Sequence, residues 1–479
     1  MQHTKVKRKL DHSVQANAGA SEKVSKEDGS KQAKRRAIKL NWKGGHRKKT
    51  TKQEKKAKKE NPAKKDKTAK RKENKKTKKD KKTKKDKTDK KDKKAQQKKA
   101  GVASGAISTS IIRMLQKSSK GRKVLKKLLK LMRRTQDSTA VPVLRKTTFT
   151  LAEDCAGIGT SGLAARRYGI PVRHVWLSEK DAETRTLLSA IVGPVCLIAT
   201  DMTLRDHSQC AYADMYGSGP PCQAFSLAGL NGGLQDPRGL VILHVVITIL
   251  SVLPRAFYIE NVPNIARKAH AKLLQGIISM LSVRYEVAYD ILNSCNYGVP
   301  QNRERLYLIG VRKDSVFEEF RWPKPDAHHP DPNDFLLPRT NQEKHVRRLP
   351  LPSNPGQLRH IQKAREKFAK KGVDIDQEAV FVDTHAGPTF GSSLLGRSPC
   401  ITRSRGPVGY YITDRRRLMT LDECAAFQGI DVAPYRVARD HVKASTFGHC
   451  VGNAMTVLVV GRVINNLATA AGLHNKAML

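Results

Sequence analysis

Residues 147–167 read TTFTLAEDCAGIGTSGLAARR, and this stretch decides the fold. A β-rich run (TTFTLA) leads into a glycine-rich turn (DCAGIGTSG), and a helical pattern follows through Arg167. The run RHVWLSE is followed by a second helical pattern over 181–191, and VCLIA, ADMYG, AFYIE, VAYDIL and RLYLIGV are further β-rich runs. Helical patterns separate several of them, notably over 240–253 and 267–281. Strands that alternate with helices predict an α/β fold with a doubly wound sheet.

The turns after the strands are the expected place for chemistry, because doubly wound sheets bind ligands beyond the carboxyl ends of their strands. Gly157 and Gly159 in the first turn would let a ligand approach the backbone at a helix N-terminus. Glu179 ends the second strand, where a carboxylate can accept hydrogen bonds from both hydroxyls of a ribose. Asp201 follows the third strand and could receive the exocyclic amine of adenine. These features predict an adenosine-containing cofactor, although either acid could instead be a helix cap or a solvated loop charge.

The fourth turn contains the strongest candidate for a nucleophile. Residues 217–239, GSGPPCQAFSLAGLNGGLQDPRG, place Cys222 directly after two prolines in a loop rich in glycine. Prolines restrict the backbone and glycines let the loop move, which suits a nucleophile delivered by loop closure. A structural cysteine would more often lie within an apolar run. The next strand ends in YIENVPN, which puts Glu260 at the same rim of the sheet.

The charge of the chain divides it into two parts. Of the 479 residues, positions 1–150 carry 53 basic and 13 acidic side chains, while the rest carry 39 and 30, and the formal net charge is +49. The unit KKTKKD occurs twice in succession over 75–86, and apolar side chains are few. We therefore predict a disordered basic arm over residues 1–146. Its charge favours nucleic-acid binding and nuclear import, although acidic proteins would also attract it, and a solubilising tail is the plainer alternative.

One segment of this arm has a different pattern. RKVLKKLLKLMRR, at 122–134, repeats apolar residues at helical spacing and predicts a basic amphipathic helix. Such a helix could bind a membrane surface, a calmodulin-like groove or DNA, or it could pack on the following domain.

Other classes of protein are disfavoured by the sequence. It has no apolar run long enough for a membrane span and no secretory signal, and its eight cysteines form no C-x-x-C pair. We therefore expect free thiols and no metal site.

Six motifs in a fixed order give a resemblance that covers Phe149 to about Val460. DCAGIGTSG and PPCQAFS are followed by IENV and by QNRER (301–305), then by SPCITRSRG with RRLMTLDECAAFQG (416–429), and by VGNAMTV (451–457). In this order and spacing the chain resembles the DNA cytosine-5 methyltransferases. The resemblance implies a Rossmann-like mixed sheet of the S-adenosylmethionine methyltransferase type. It implies a catalytic core over 147–311 and 397–479, and a smaller target-recognition region over 312–396.

The resemblance also implies the ligands and the roles of the site residues. S-adenosylmethionine is the expected cofactor, duplex DNA the expected partner, and no metal is required. Cys222 is expected to attack carbon 6 of a flipped-out cytosine while Glu260 hydrogen-bonds or protonates ring nitrogen 3, and Arg305 and Arg303 hold the base and the closed loop. The expected cofactor-binding residues are Cys155, Ala156, Gly157, Ile158, Gly159, Glu179, Asp201, Pro221, Asn453 and Ala454.

Two positions depart from the family pattern, and three other functions compete. Cys155 stands where an aromatic residue is usual and Thr160 where a second glycine is usual, and loss of the ring predicts cofactor binding weaker by about 1 kcal/mol.

A tRNA cytosine-5 methyltransferase is one alternative, although the typical Cys-Phe-Thr triplet of that branch is missing. A catalytically silent chromatin-binding protein is another, although the Cys222 and Glu260 motifs are intact. A generic nucleotide-binding α/β protein with a basic tail would not explain PPCQ.

Overall fold

The structure is a computed structural model that describes residues 107–134, 146–192, 197–226, 232–338, 352–387 and 390–474. The lysine-rich residues 1–106 lie outside this part of the chain. The expected disorder of the arm and its roles in nucleic-acid binding and nuclear import therefore stay predictions.

A seven-stranded mixed sheet forms the centre of the fold, in the order β3-β2-β1-β4-β5-β7-β6. The first five strands are parallel, while β7 is antiparallel to both β5 and β6. The strands are β1 (Phe149–Asp154), β2 (Val172–Ser178), β3 (Leu197–Ala199), β4 (Met215–Ser218), β5 (Ala256–Asn261), β6 (Tyr285–Asn293) and β7 (Glu304–Arg312). This arrangement confirms the predicted doubly wound mixed α/β fold.

Helices cover both faces of this sheet. Side chains of β1 alternate between the faces, so that Leu151 belongs to one buried cluster and Ala152 to the other. The helices that follow the first two N-terminal ones are α3 (Thr160–Tyr168), α4 (Ala182–Val192), α5 (Val241–Val252), α6 (Ala271–Leu281), α7 (Pro355–Ala369), α8 (Leu421–Ala426), α9 (Arg436–Arg439), α10 (Ala444–Asn453) and α11 (Val457–Ala470). Helices α3 and α11 pack on the face of Leu151, and α5 and α6 pack on the face of Ala152.

The two N-terminal helices are α1 (Thr109–Gln116) and α2 (Ser119–Arg134), and both belong to the folded part of the chain. Helix α2 covers the stretch predicted to be a basic amphipathic helix. Its apolar side chains Val124, Leu125 and Leu128 are buried in the same cluster as α5 and α6. Packing on the following domain, one of the alternatives, is therefore the arrangement observed. The predicted boundary of the arm at 146 is too late, since residues 107–134 are already folded.

A second, antiparallel sheet has the order β11-β10-β8-β9. Its strands are β8 (Val380–Val382), β9 (Ser393–Leu395), β10 (Tyr411–Ile412) and β11 (Arg417–Leu418). The predicted target-recognition region, 312–396, contributes α7, β8 and β9. The sheet continues into β10 and β11, so this smaller unit does not end at 396 as expected. The reason is that β8 pairs with β10, which lies thirty residues further along the chain.

Among the described helices, none is by itself long and apolar enough to cross a membrane. The bent pair α10 and α11 would qualify only by length and composition.

Candidate active site

The first turn of the sheet has the tight backbone that its glycines predict. Cys155, Gly157 and Gly159 all have positive φ, at 55°, 56° and 79°. A Cβ at Gly159 would lie 3.0 Å from Leu188 Cδ1, so glycine is required there both for backbone conformation and for packing. Cys155 takes the same left-handed backbone without being glycine, which is uncommon and strained for a residue with a side chain. Its thiol is half-buried and lies 3.9 Å from Met202 Sδ.

The space over Gly157 fits a bound cofactor. A Cβ built there would meet no atom within 4 Å, so a ligand can approach this backbone closely. The Gly157 amide donates to Glu179 Oε2 at 3.0 Å, which places the predicted ribose-binding carboxylate directly at the glycine turn. The adjoining Ala156 and Ile158 are buried. Cys155, Ala156, Gly157, Ile158, Gly159 and Glu179 are thus brought together as the sequence predicts.

Asp201 and Pro221 lie at the same rim, after β3 and β4. Asp201 Oδ1 accepts hydrogen bonds from the amide and hydroxyl of Thr203, and its Oδ2 lies 2.9 Å from Lys180 Nζ. Burial raises the pKa of Asp201, but the hydrogen bonds from Lys180 and Thr203 outweigh it and leave the pKa below its usual value. In the free protein Asp201 is thus a charged residue that closes a turn, and its role toward the exocyclic amine of adenine stays a prediction.

Asn453 and Ala454 lie at the end of α10. This helix packs on α4, where the Cys450 sulfur lies 3.3 Å from Thr184 Oγ1. Asn453 is exposed, and the Ala454 carbonyl accepts a hydrogen bond from Arg303 Nη2 at 2.6 Å. The described contacts link Ala454 to Arg303 of the motif QNRER (301–305), and they link neither residue to the glycine turn.

The Cys222 turn is fastened to the strand that carries Glu260. Asn261 Nδ2 donates to the Pro220 carbonyl at 3.2 Å, and Asn264 Nδ2 donates to the Phe225 carbonyl at 2.6 Å. Both asparagines are buried. Sequence reasoning missed their function, although both stand in the quoted motif YIENVPN. Residues 227–231, where loop movement is expected, lie outside the described part.

Glu260 and Arg305 form an ion pair beside this turn. Arg305 Nε lies 3.0 Å from Glu260 Oε1, and both side chains are largely buried. Burial raises the pKa of Glu260 above its usual value, and the positive charges of Arg305 and Arg303 oppose that rise without cancelling it. For Arg305, burial favours the neutral form, but the neighbouring Cys400, Glu260 and Cys222 raise its pKa, so it stays charged.

The Cys222 thiol is half-buried at the same place. Burial raises its pKa, and the negative charge of Glu260 raises it further, while Arg305 and Arg303 act in the opposite direction. These effects show that Cys222, Glu260 and Arg305 are within electrostatic reach of one another. The free protein therefore holds Cys222 mainly as a thiol near neutral pH.

Arg303 differs from its expected role of holding a base. It is 1% exposed. Its Nη1 donates to the carbonyl of Ile401 at 2.8 Å and to that of Gly452 at 3.3 Å, while Nη2 donates to Ala454. Its guanidinium is thus occupied by backbone groups of the C-terminal part of the core. In this structure Arg303 joins the two halves of the core, and Arg305 is the arginine that faces Glu260.

Cys400 is a second thiol of the site that sequence reasoning did not single out. Its sulfur lies 3.5 Å from Arg303 Nη1 and 3.6 Å from Arg305 Nη2. Burial raises the pKa of this thiol, but the two guanidinium groups outweigh burial and leave the pKa below its usual value. The signal in the sequence was its place in the motif SPCITRSRG, which precedes RRLMTLDECAAFQG (416–429). Cys400 therefore contacts Arg305 through Nη2, while Glu260 contacts it through Nε.

Replacing Cys400 by Ala is expected to slow methyl transfer about tenfold, since Arg305 loses one of the groups that orient it. Cys400→Ser keeps an acceptor and should lose less. Steady-state kinetics on DNA would check this, with the effect falling on kcat more than on KM. Wild-type kcat in Cys400→Ala would contradict the positioning role.

No group of three His, Cys, Asp or Glu side chains suited to a metal ion occurs among the residues that the structure describes. The seven described cysteines are free thiols.

A family model and several curated relatives match this chain. The family model for C-5 cytosine-specific DNA methylases matches residues 149–469. Type II methyltransferase M.NlaX of Neisseria lactamica is 34% identical over 257 residues, which cover 52% of this chain and 80% of that protein. M.HpaII of Haemophilus parainfluenzae is 34% identical over 191 residues, 38% of this chain and 51% of that protein. M.HhaI of Haemophilus parahaemolyticus is 26% identical over 292 residues, 56% of this chain and 78% of that protein.

The chain spans about half the length of some of these curated relatives and about four fifths of others. The family model covers more than half of this chain and includes every motif of the rim described above. The chain therefore belongs to the C-5 cytosine-specific DNA methylase family.

Proposed function

We propose that this protein is a DNA cytosine-5 methyltransferase that acts through a covalent adduct between Cys222 and the base. The observation that carries the proposal is the grouping of Cys222, Glu260 and Arg305 at the rim of the sheet, with Arg305 Nε 3.0 Å from Glu260 Oε1. The same rim carries the glycine turn with Glu179. A nucleophile, an acid and a fixed cation are the groups that addition to a pyrimidine ring needs.

The proposed reaction begins with the Cys222 thiolate. Its sulfur adds to carbon 6 of a cytosine that has left the base stack, and the electron pair of the 5,6 double bond is released toward carbon 5. Glu260 hydrogen-bonds or protonates ring nitrogen 3 and so stabilises the charge that develops. Its raised pKa makes Glu260 easier to protonate than an ordinary carboxylate. After methylation the carbon 5 proton is lost, and the sulfur–carbon 6 bond breaks to restore the ring and the thiolate.

S-adenosylmethionine is the cofactor of cytosine-5 methyltransferases, and when bound it supplies the methyl group to carbon 5. In this chain Gly157 and Glu179 would hold it, since the open backbone at Gly157 and the carboxylate lie together. The half-buried thiol of Cys155 would lie where relatives use an aromatic ring.

Glu260→Gln is expected to lower kcat by about 10²-fold, because an amide donates to nitrogen 3 but cannot transfer a proton. The rate at which iodoacetamide alkylates Cys222 in the wild type should rise about tenfold per pH unit below the pKa of Cys222, which burial and Glu260 raise. Removing the Glu260 charge should lower that pKa, so the variant's rate should level off at a lower pH. Steady-state kcat would check the first effect, and alkylation rates of the Cys222 peptide from about pH 6 to 11 the second. An unshifted alkylation profile would contradict the coupling of Glu260 to Cys222.

We propose DNA and not tRNA as the substrate because the matching family model is that of the C-5 cytosine-specific DNA methylases, and the relatives are named Type II methyltransferases. Transfer of labelled methyl groups to duplex DNA and to tRNA tests this choice. Label at carbon 5 of DNA cytosine supports the proposal, and label in tRNA alone would overturn it.

A further inference from the structure

Helices α1 and α2 bury their apolar side chains in the core. Ile111 and Leu115 of α1 and Leu128 of α2 are at most 1% exposed and pack with α5 and α6. The contact with α6 is close, because a Cβ at Gly276 would lie 2.1 Å from Ile111 Cδ1. Helix α1 also contacts the 3-10 turn Gly233–Gln235, which follows the Cys222 loop. The helix pair is thus fixed to the catalytic core at the segment that ends this loop.

The outer face of the pair is uniformly basic. Between Ile107 and Arg134 the chain has no acidic residue. The exposed basic side chains of this face are Arg113, Lys117, Lys120, Arg122, Lys123, Lys126, Lys127 and Lys130. Within the described part of the chain, none of them forms an ion pair with a carboxylate. A surface that carries this much uncompensated charge is complementary to a polyanion.

The burial of the apolar face of α1 and α2 limits which kinds of molecule this helix pair could bind. Amphipathic helices bind membranes or helix-binding grooves through their apolar face. Here the core already covers that face, and Leu129, at 38%, is the one large apolar side chain of the pair that counts as exposed. A partner must therefore bind the outer face of this helix pair mainly through charge. Helix α2 has 16 residues and is about 24 Å long, which matches about seven successive phosphates of one DNA strand.

We propose that the outer face of α1 and α2 is a second binding surface for duplex DNA, separate from the catalytic rim, that contacts phosphates without reading sequence. The choice of DNA as the polyanion rests on the proposed function. In the sequence, the lysine-rich residues 1–106 directly precede these helices, and their charge favours the same kind of partner.

The test uses the full chain with four substitutions on α2: Lys123→Gln, Lys126→Gln, Lys127→Gln and Lys130→Gln. A matched control carries Lys268→Gln, Lys313→Gln, Lys324→Gln and Lys443→Gln, which are also exposed and change the net charge equally. Binding to a duplex of about 30 base pairs is measured by fluorescence anisotropy over a range of salt concentrations. For the α2 variant, the negative slope of log Kobs against log salt should be shallower than that of wild type by up to about 3 to 4. Each lost phosphate contact makes this slope shallower by about 0.9. For the control variant, this slope should differ from that of wild type by less than about 1.

The outcomes separate this proposal from the proposed function. A reduced slope supports the surface even if no methyl is transferred to DNA, in which case the proposed function fails alone. Methyl transfer to saturating short duplex should be the same for wild type and both variants. Equal slopes for the α2 and control variants would overturn the surface. The proposal would also be overturned if the α2 variant lost binding to anionic vesicles or to duplex RNA while its binding to duplex DNA stayed unchanged.

Discussion

Cys222→Ser is expected to lower methyl transfer to DNA by at least about 10³-fold, because a serine hydroxyl is a far weaker nucleophile toward carbon 6 than a thiolate. Cofactor binding should stay within about twofold of wild type, since the glycine turn that would hold the cofactor follows β1 while Cys222 follows β4. Single-turnover transfer and equilibrium dialysis with S-adenosylmethionine would measure the two effects separately.

Cys210→Ser is the matched control for this substitution. Cys210 is also a half-buried free thiol, but it precedes β4 and contacts none of Cys222, Glu260 or Arg305 in the described structure. Its variant should transfer methyl groups within about twofold of wild type. Full activity in Cys222→Ser would refute the assignment of the nucleophile.

Arg303→Ala is expected to destabilise the folded protein by about 3 kcal/mol or more. The guanidinium satisfies the buried carbonyls of Ile401, Gly452 and Ala454, and alanine would leave acceptors unpaired next to a cavity. Urea denaturation followed by tryptophan fluorescence would measure the change in the free energy of unfolding.

Arg365→Ala provides the comparison for a surface arginine. Arg365 pairs with Asp376 at 2.8 Å, but its side chain is 47% exposed, so its loss should cost less than about 1 kcal/mol. If Arg303→Ala were as stable as Arg365→Ala, the role of Arg303 in joining the two halves of the core would be wrong.

Much of the catalytic rim could be predicted from the sequence, because its residues lie in short motifs at strand ends. The glycine turn with Glu179, and Cys222 near Glu260 and Arg305, are brought together as expected. The carboxyl ends of the parallel strands meet at one rim, and the antiparallel strand β7 begins at that rim with Glu304 and Arg305.

Other features depend on contacts between distant parts of the chain, and a motif does not specify such contacts. Arg303 was expected at the base, yet its partners lie about 100 to 150 residues away, after Cys400 and at the end of α10. Cys400 acquires its function only because the fold places it between two arginines. The apolar spacing of α2 predicted a helix, but it could not show that α5 and α6 cover that face.

The measurement that tests the central claim most directly is transfer of labelled methyl groups from S-adenosylmethionine to unmethylated DNA, hemimethylated DNA and tRNA, with Cys222→Ser in parallel. We predict label at carbon 5 of cytosine in DNA, lost in the Cys222→Ser protein. The ratio between the two duplexes would then show whether the enzyme maintains or establishes methylation. Label in tRNA alone, or label in DNA that does not depend on Cys222, would contradict the account.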